Sequence, residues 1–150
     1  MKAILQRTTN AKVTVDNKIT GEIKKGLVIL VGFTEGDNEQ IIDTMINKII
    51  NLRIFDDENG VMNISLKDIN GSILSISQFT LYADTSKGRR PSYINSLKYE
   101  EAEKLYLLFN QKLKEQNIEI STGVFGGDMQ VEFINDGPVT IILDSNDWHK

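Results

Sequence analysis

Cysteine is absent from the 150-residue chain, and histidine occurs once, at position 149. Without thiols there is no disulfide, no thiolate nucleophile and no thiolate metal site. A single imidazole beside the terminus, where chains usually fray, is a poor member of a Ser-His-Asp or Cys-His constellation. Neither HExxH nor a cysteine pair marks a zinc site. A Walker A loop and a GxGxxG following a strand are missing too, which leaves nucleotide cofactors no recognisable cradle. No cofactor and no metal is therefore expected. Proline is scarce: Pro91 and Pro138 are the two present. No apolar run approaches the ~18 residues of a membrane span. The opening MKAILQRTTNAKVTV is strand-like, broken by Arg7 and Lys12, with no continuous signal-peptide core. The cytoplasm is the expected compartment, and no membrane partner is expected.

Basic residues number 17 against 21 acidic ones, for a net charge of −4. Such a chain exerts no global pull on a polyanion, so broad nucleic-acid binding is not expected and DNA is not a partner. Any RNA contact has to be local. KGRRPS brings Lys87, Arg89 and Arg90 together, and Lys24-Lys25 is a second basic spot. A cluster of that size is also what an ordinary solvated loop carries. Length and a composition of 40% hydrophobic and 25% charged residues describe one globular domain over residues 1–150.

Ala3, Leu5, Val13 and Val15 alternate as in a half-buried strand, and GLVILVGF (26–33) reads as a buried strand bounded by glycines. Asp37 or Asn38 caps a predicted helix over 38–52, with Ile42, Met45, Ile46, Ile49 and Ile50 at helical spacing. DDENG (56–60) and DING (68–71) are turn clusters. Asp56, Asp57 and Glu58 offer carboxylates for a divalent ion, although a solvated turn is the simpler reading. SILSISQFTLYAD (72–84) is a predicted strand. A second helix spans 98–116, with Ala102, Leu105, Tyr106, Phe109 and Leu113 on one face. IEISTGVF is strand again; a hairpin-like GGD turn at 126–128 then leads into MQVEFI and VTIIL. This order predicts an α+β single domain, a largely antiparallel, curled or barrel-like sheet with two main helices packed against it.

Two polar places are left unexplained by that fold. SQFTL puts Ser77, Gln78 and Thr80 into apolar company, and buried polar side chains need partners. Cross-strand hydrogen bonding is the bland account. NDGPVT (135–140) puts Gly137-Pro138 between two strands, where proline removes a ladder donor and belongs at a strand start, edge or bulge. A turn is the bland account there.

Taken together, SQFTL at 77–81 and NDGPVT at 135–140 resemble the two signatures of the D-aminoacyl-tRNA deacylases. LQR near the start, GLVILVG, KGRRPS and TGVFGGDM (122–129) match as well, so the similarity runs over essentially the whole chain. Arg89 and Val124 stand where the family often has other residues, both outside the two signatures.

The resemblance implies an enzyme that hydrolyses the ester between a D-amino acid and the terminal ribose of tRNA. It implies a homodimer whose subunits each lend Gly137-Pro138, with a cis bond, to the other's active site. Arg7 is the implied partner of that bond. Backbone N–H groups of Phe79 and Thr80 are the implied oxyanion donors, while Ser77 and Gln78 orient the amine or the terminal adenosine. The resemblance also makes Thr80 a candidate nucleophile. With no base in view to take its proton, positioning is the role favoured here. The aminoacyl ester is already activated, and the ribose 2′-hydroxyl can assist water, which fits a chain without a usable histidine. Because the implied filter rejects L side chains, glycyl-tRNA is an expected substrate. Two other classes stay open: a Thr- or Ser-dependent hydrolase of small esters, and a non-catalytic dimeric binding module.

Overall fold

The computed structural model describes residues 1–149; Lys150 and the side chain of His149 lie outside the described residues, so the lone imidazole is not placed. Strand β1 (Lys2–Val15) is the spine. One edge pairs antiparallel with β2 (Lys18–Ile23) through its second half and with β3 (Gly26–Gly32) through its first. The other edge carries β8 (Gln130–Asp144), also antiparallel. Asp16 and Asn17 make the β1–β2 turn with φ of 50° and 64°, the left-handed geometry that suits a tight hairpin.

Strand β6 (Ser72–Ser77) joins β3 in parallel, and β7 (Glu119–Thr122) joins β6 in parallel. The parallel pairs follow from the connections. Helix α1 (Glu39–Asn51) lies between β3 and β6, and helix α2 (Tyr99–Glu115) between β6 and β7. A helical crossover returns the chain to enter the sheet in the same direction. A small hairpin, β4 (Phe55–Asp56) and β5 (Met62–Ile64), interrupts the first crossover. Strand β7 bends back toward β2, where Ser121 Oγ donates to the Glu22 carbonyl at 3.1 Å. The mixed sheet therefore curls almost into a barrel, with both helices outside it.

Two cores result. Leu27, Ile29 and Val31 of β3 face the helices and pack with Ile42, Met45, Ile49, Tyr106 and Phe109. Val28 points the other way, into the barrel, with Val13, Ile23, Leu74 and Ile76. Burial on both faces explains the unbroken apolar run of β3. Asn38 caps α1 by accepting the Ile41 N–H at 3.0 Å.

Three local expectations change. The strand from Ser72 stops at Ser77, and Phe79–Tyr82 coil into a 3₁₀ turn. The GGD segment is no hairpin, because β7 pairs with β6 and β8 pairs with β1. MQVEFI and VTIIL are one strand, β8, that stays on β1 on both sides of NDGPVT.

Candidate active site

Ser77 pairs with Val31, and the next residue, Gln78, still donates its N–H to the Val31 carbonyl at 2.8 Å. The chain then tightens into the 3₁₀ turn. The turn's first backbone bond runs from Leu81 N–H to the Gln78 carbonyl at 3.4 Å. The N–H groups of Phe79 and Thr80 come before it, and the first N–H groups of a helix have no acceptor within the helix. SQFTL is thus the end of a strand opening into a turn, and its polar residues need no partners inside a sheet.

That turn borders a cavity of about 460 Å³ whose lining includes Ser77, Gln78, Phe79, Tyr93, Phe125 and Met129. Phe79 and Tyr93 meet edge to face with centroids 5.1 Å apart, and Tyr99 meets Phe125 at 4.9 Å. Ser96 Oγ holds the Phe79 carbonyl at 2.9 Å. Gly126 (φ +74°) lets the glycine-rich loop approach Tyr99; a Cβ there would lie 2.6 Å from the phenol oxygen. The Gln78 amide donates to Thr80 Oγ1. An amide is no base at either end, so this contact does not activate Thr80 as a nucleophile.

NDGPVT is a bulge. Gln6 pairs with Thr140 and Thr8 with Asn135, so Arg7 alone stands opposite Asp136, Gly137, Pro138 and Val139. The Gly137–Pro138 peptide is cis. The Asn135 amide, oriented to satisfy both its ends, closes the bulge: its nitrogen reaches the Val139 and Arg7 carbonyls at 3.1 and 3.3 Å, and its oxygen accepts from Gln6 and Thr140. Arg7 is buried, 7% exposed, and donates through Nε to the Asp136 carbonyl at 3.3 Å. Gly137 (φ +119°) tolerates no side chain, because a Cβ would sit 2.7 Å from Val139 Cγ2. Gly137 and Pro138 are themselves exposed.

One chain does not bring these two places together. Ser77 is level with Val31 and hence with Ala3, whereas the bulge is level with Arg7. Those four steps along β1 amount to roughly 14 Å at ~3.4 Å per residue. Sequence reasoning missed Tyr93, Ser96 and Tyr99 as cavity residues; they reach it through long-range packing, and no local pattern marks them. Phe125 and Met129 lie in TGVFGGDM, a stretch that does stand out. The basic residues Lys87, Arg89 and Arg90 sit in an exposed loop pinched by two Asp84–Ser92 backbone bonds of 2.8 and 2.9 Å. Hydrogen bonds from Ser86, side chain and backbone, hold the Asp84 carboxyl below its ordinary pKa.

Comparison with known proteins places this curled sheet, cavity and bulge among hydrolases acting on aminoacyl-tRNA. The family model described as D-Tyr-tRNA(Tyr) deacylase matches residues 4–144, and the chain belongs to that family. It is 54% identical over 145 residues to a D-aminoacyl-tRNA deacylase of Thermosipho africanus, covering 97% of each chain. Identity to a D-aminoacyl-tRNA deacylase of Flavobacterium psychrophilum is 56% over 146 residues, again with 97% of each covered. A solved structure titled c-Myc DNA Unwinding Element Binding Protein superposes with a TM-score of 0.90 at 39% identity, covering 96% of this chain and 98% of the other.

Proposed function

We propose that the protein hydrolyses the ester joining a D-amino acid to the terminal ribose of tRNA, releasing both, and spares L-aminoacyl esters. The observation that carries this reading is the start of the Phe79–Tyr82 turn on the wall of the aromatic cavity. Its first N–H groups supply an oxyanion site for the tetrahedral intermediate formed when water attacks the ester carbonyl. The cavity suits a flat nucleoside base stacked among Phe79, Tyr93 and Phe125, which leaves the ester near the turn. Ser77 and Gln78 orient the substrate, and Gln78 steadies Thr80. The ribose 2′-hydroxyl assists the water, so no protein nucleophile is needed. Positioning then provides most of the rate.

Gly137-Pro138 serves as the chiral filter, rigid backbone that collides with an L side chain at the α-carbon. It acts on a second subunit's SQFTL turn, since within one chain the two are far apart. The exposed bulge and the exposed Ile134 and Ile142 on β8 support a second copy covering this face. The loop carrying Lys87, Arg89 and Arg90 supplies a local contact for the tRNA backbone. The cytoplasm, where charged tRNA is used, is the proposed compartment, and the whole of residues 1–150 acts as one domain.

The test is hydrolysis of matched D- and L-aminoacyl-tRNA by the purified protein. Strong preference for the D ester is expected. Equal hydrolysis of simple D-amino acid esters would favour a small-ester hydrolase instead, and no turnover would favour a binding module.

A further inference from the structure

We infer that Asp56 is a positioning residue for the stereochemical filter: it holds the Arg7 guanidinium against the bulge at Gly137. The inference rests on the reading of Gly137-Pro138 under Proposed function.

Arg7 has both ends of its planar group assigned. On one side Nε donates to the Asp136 carbonyl at 3.3 Å and faces the Asp136 carboxylate at 3.2 Å. On the other side Nη1 donates to the Ile54 carbonyl at 2.9 Å and to Asp56 Oδ1 at 3.2 Å. Nη2 lies beside Gly137, 3.1 Å from where a Cβ would stand. A guanidinium is a rigid fork, so a shift at one edge is carried to the other. The group is therefore a brace between the 54–56 segment and the bulge.

The far end of the brace is well anchored. Ile54 and Phe55 are buried at 8% and 1% exposure in the core beneath the helices. Asp56 follows directly and turns its carboxylate to Arg7. Neighbouring Asp57 is spent differently, accepting the Asn59 and Val61 N–H groups at 2.8 and 3.1 Å to shape the turn. The two aspartates of DDENG thus divide between a brace and a turn, which gives Asp56 a use other than the divalent ion considered from sequence.

Burial separates the two partners. The Arg7 side chain is 9% exposed and the Asp56 side chain 51%. A half-exposed carboxylate adds little to stability. It nevertheless supplies one of two acceptors that fix Nη1. Removing it leaves Nη1 on the Ile54 carbonyl alone, a single bond about which the fork can pivot, so geometry at Gly137 loosens while the fold persists.

The experiment compares unmodified protein with Asp56→Ala and Asp56→Glu, with Glu132→Gln as control. Glu132 pairs with Lys12 at 3.3 Å on the same two strands and does not touch Arg7. The ratio of D to L hydrolysis is expected to fall ~10-fold or more in Asp56→Ala, since displacements of about 1 Å are known to change rates by up to ~10². Melting temperature and the KM for the D substrate stay near the unmodified values. Asp56→Glu recovers part of the ratio, and Glu132→Gln leaves it alone. Arg7→Lys combined with Asp56→Ala is no worse than Arg7→Lys alone, because both remove one brace. An unchanged ratio in a well-folded Asp56→Ala, or additive losses, would overturn the assignment. The Arg7 Nε–H and Gly137 amide resonances read the same contact without turnover, and both are expected to shift in Asp56→Ala. If the unmodified protein shows no D preference, the proposed function fails. Resonances that do not move then overturn the brace as well, and resonances that move uphold it as a structural contact.

Discussion

Ser75 Oγ donates to Asn110 Oδ1 at 2.7 Å in the core, joining β6 to α2 just below the SQFTL turn. Tyr106 adds a second tie, its hydroxyl donating to the Ser75 carbonyl at 2.7 Å. Burial pushes the Tyr106 phenol's pKa up, against the opposing pull of its Asn110 and Ser75 hydrogen bonds, so it stays a donor at neutral pH. Asn110→Ala leaves the fully buried Ser75 hydroxyl without its acceptor. The expected loss is ~1–3 kcal/mol, read from urea denaturation. D-over-L preference should be kept, because neither partner touches the bulge.

Thr80→Ala should retain measurable deacylase activity. The hydroxyl meets the Gln78 amide, which is no base, and the backbone N–H groups of the turn survive the substitution. Loss of one positioning group costs ~10²–10³-fold at most, whereas loss of an obligatory nucleophile leaves essentially nothing. Single-turnover hydrolysis of D-aminoacyl-tRNA distinguishes the two, and an acyl-enzyme trapped on Thr80 would refute the expectation.

Reversing charge at Lys87, Arg89 and Arg90 together should weaken tRNA binding and flatten its salt dependence. The loop is exposed and closed off by the Asp84–Ser92 bridge, so the rate at saturating substrate should hold. Filter binding at several salt concentrations provides the measurement. Unaltered affinity would make the cluster a solvated loop.

Chirality can be read by gripping a D side chain or by colliding with an L one. Collision needs only fixed backbone near the α-carbon, and rejecting the wrong partner in this way is specificity through repulsion. A preference of ~10⁴ corresponds to about 5.5 kcal/mol, while a single methylene contact supplies only ~1–3 kcal/mol. Glycyl-tRNA has no side chain to collide and should be cleaved at enzyme levels that clear the D substrate. Its resistance would point to a side-chain pocket.

Much of the fold was legible because it is written in periodicity. Ile42, Met45, Ile46, Ile49 and Ile50 mark α1, and the doubly buried β3 announces itself as an apolar run. The end of β6 was not legible. Phe79, Thr80 and Leu81 have strand-like side chains, and what holds their bend is distant: Ser96, 17 residues on, clamps the Phe79 carbonyl. The Gly-Pro pair read locally as a turn, yet β1 holds β8 on both sides of it, and a partner strand outweighs local turn preference. Asp56 read only as a turn residue or a metal-site carboxylate, since its partner Arg7 is 49 residues away.

Strand β1 sets the distance between the two signatures, with Ala3 level with one and Arg7 with the other. Side chains alternate along a strand, so one residue inserted between Ala3 and Arg7 would turn the guanidinium to the opposite face and push it out of step with the bulge. The loop from 85 to 91, tied off at its neck, is free of that arithmetic. Gain or loss of a residue in this chain should therefore be tolerated in that loop and disruptive between Ala3 and Arg7. The first strand works as a ruler whose graduations keep the two signatures in step.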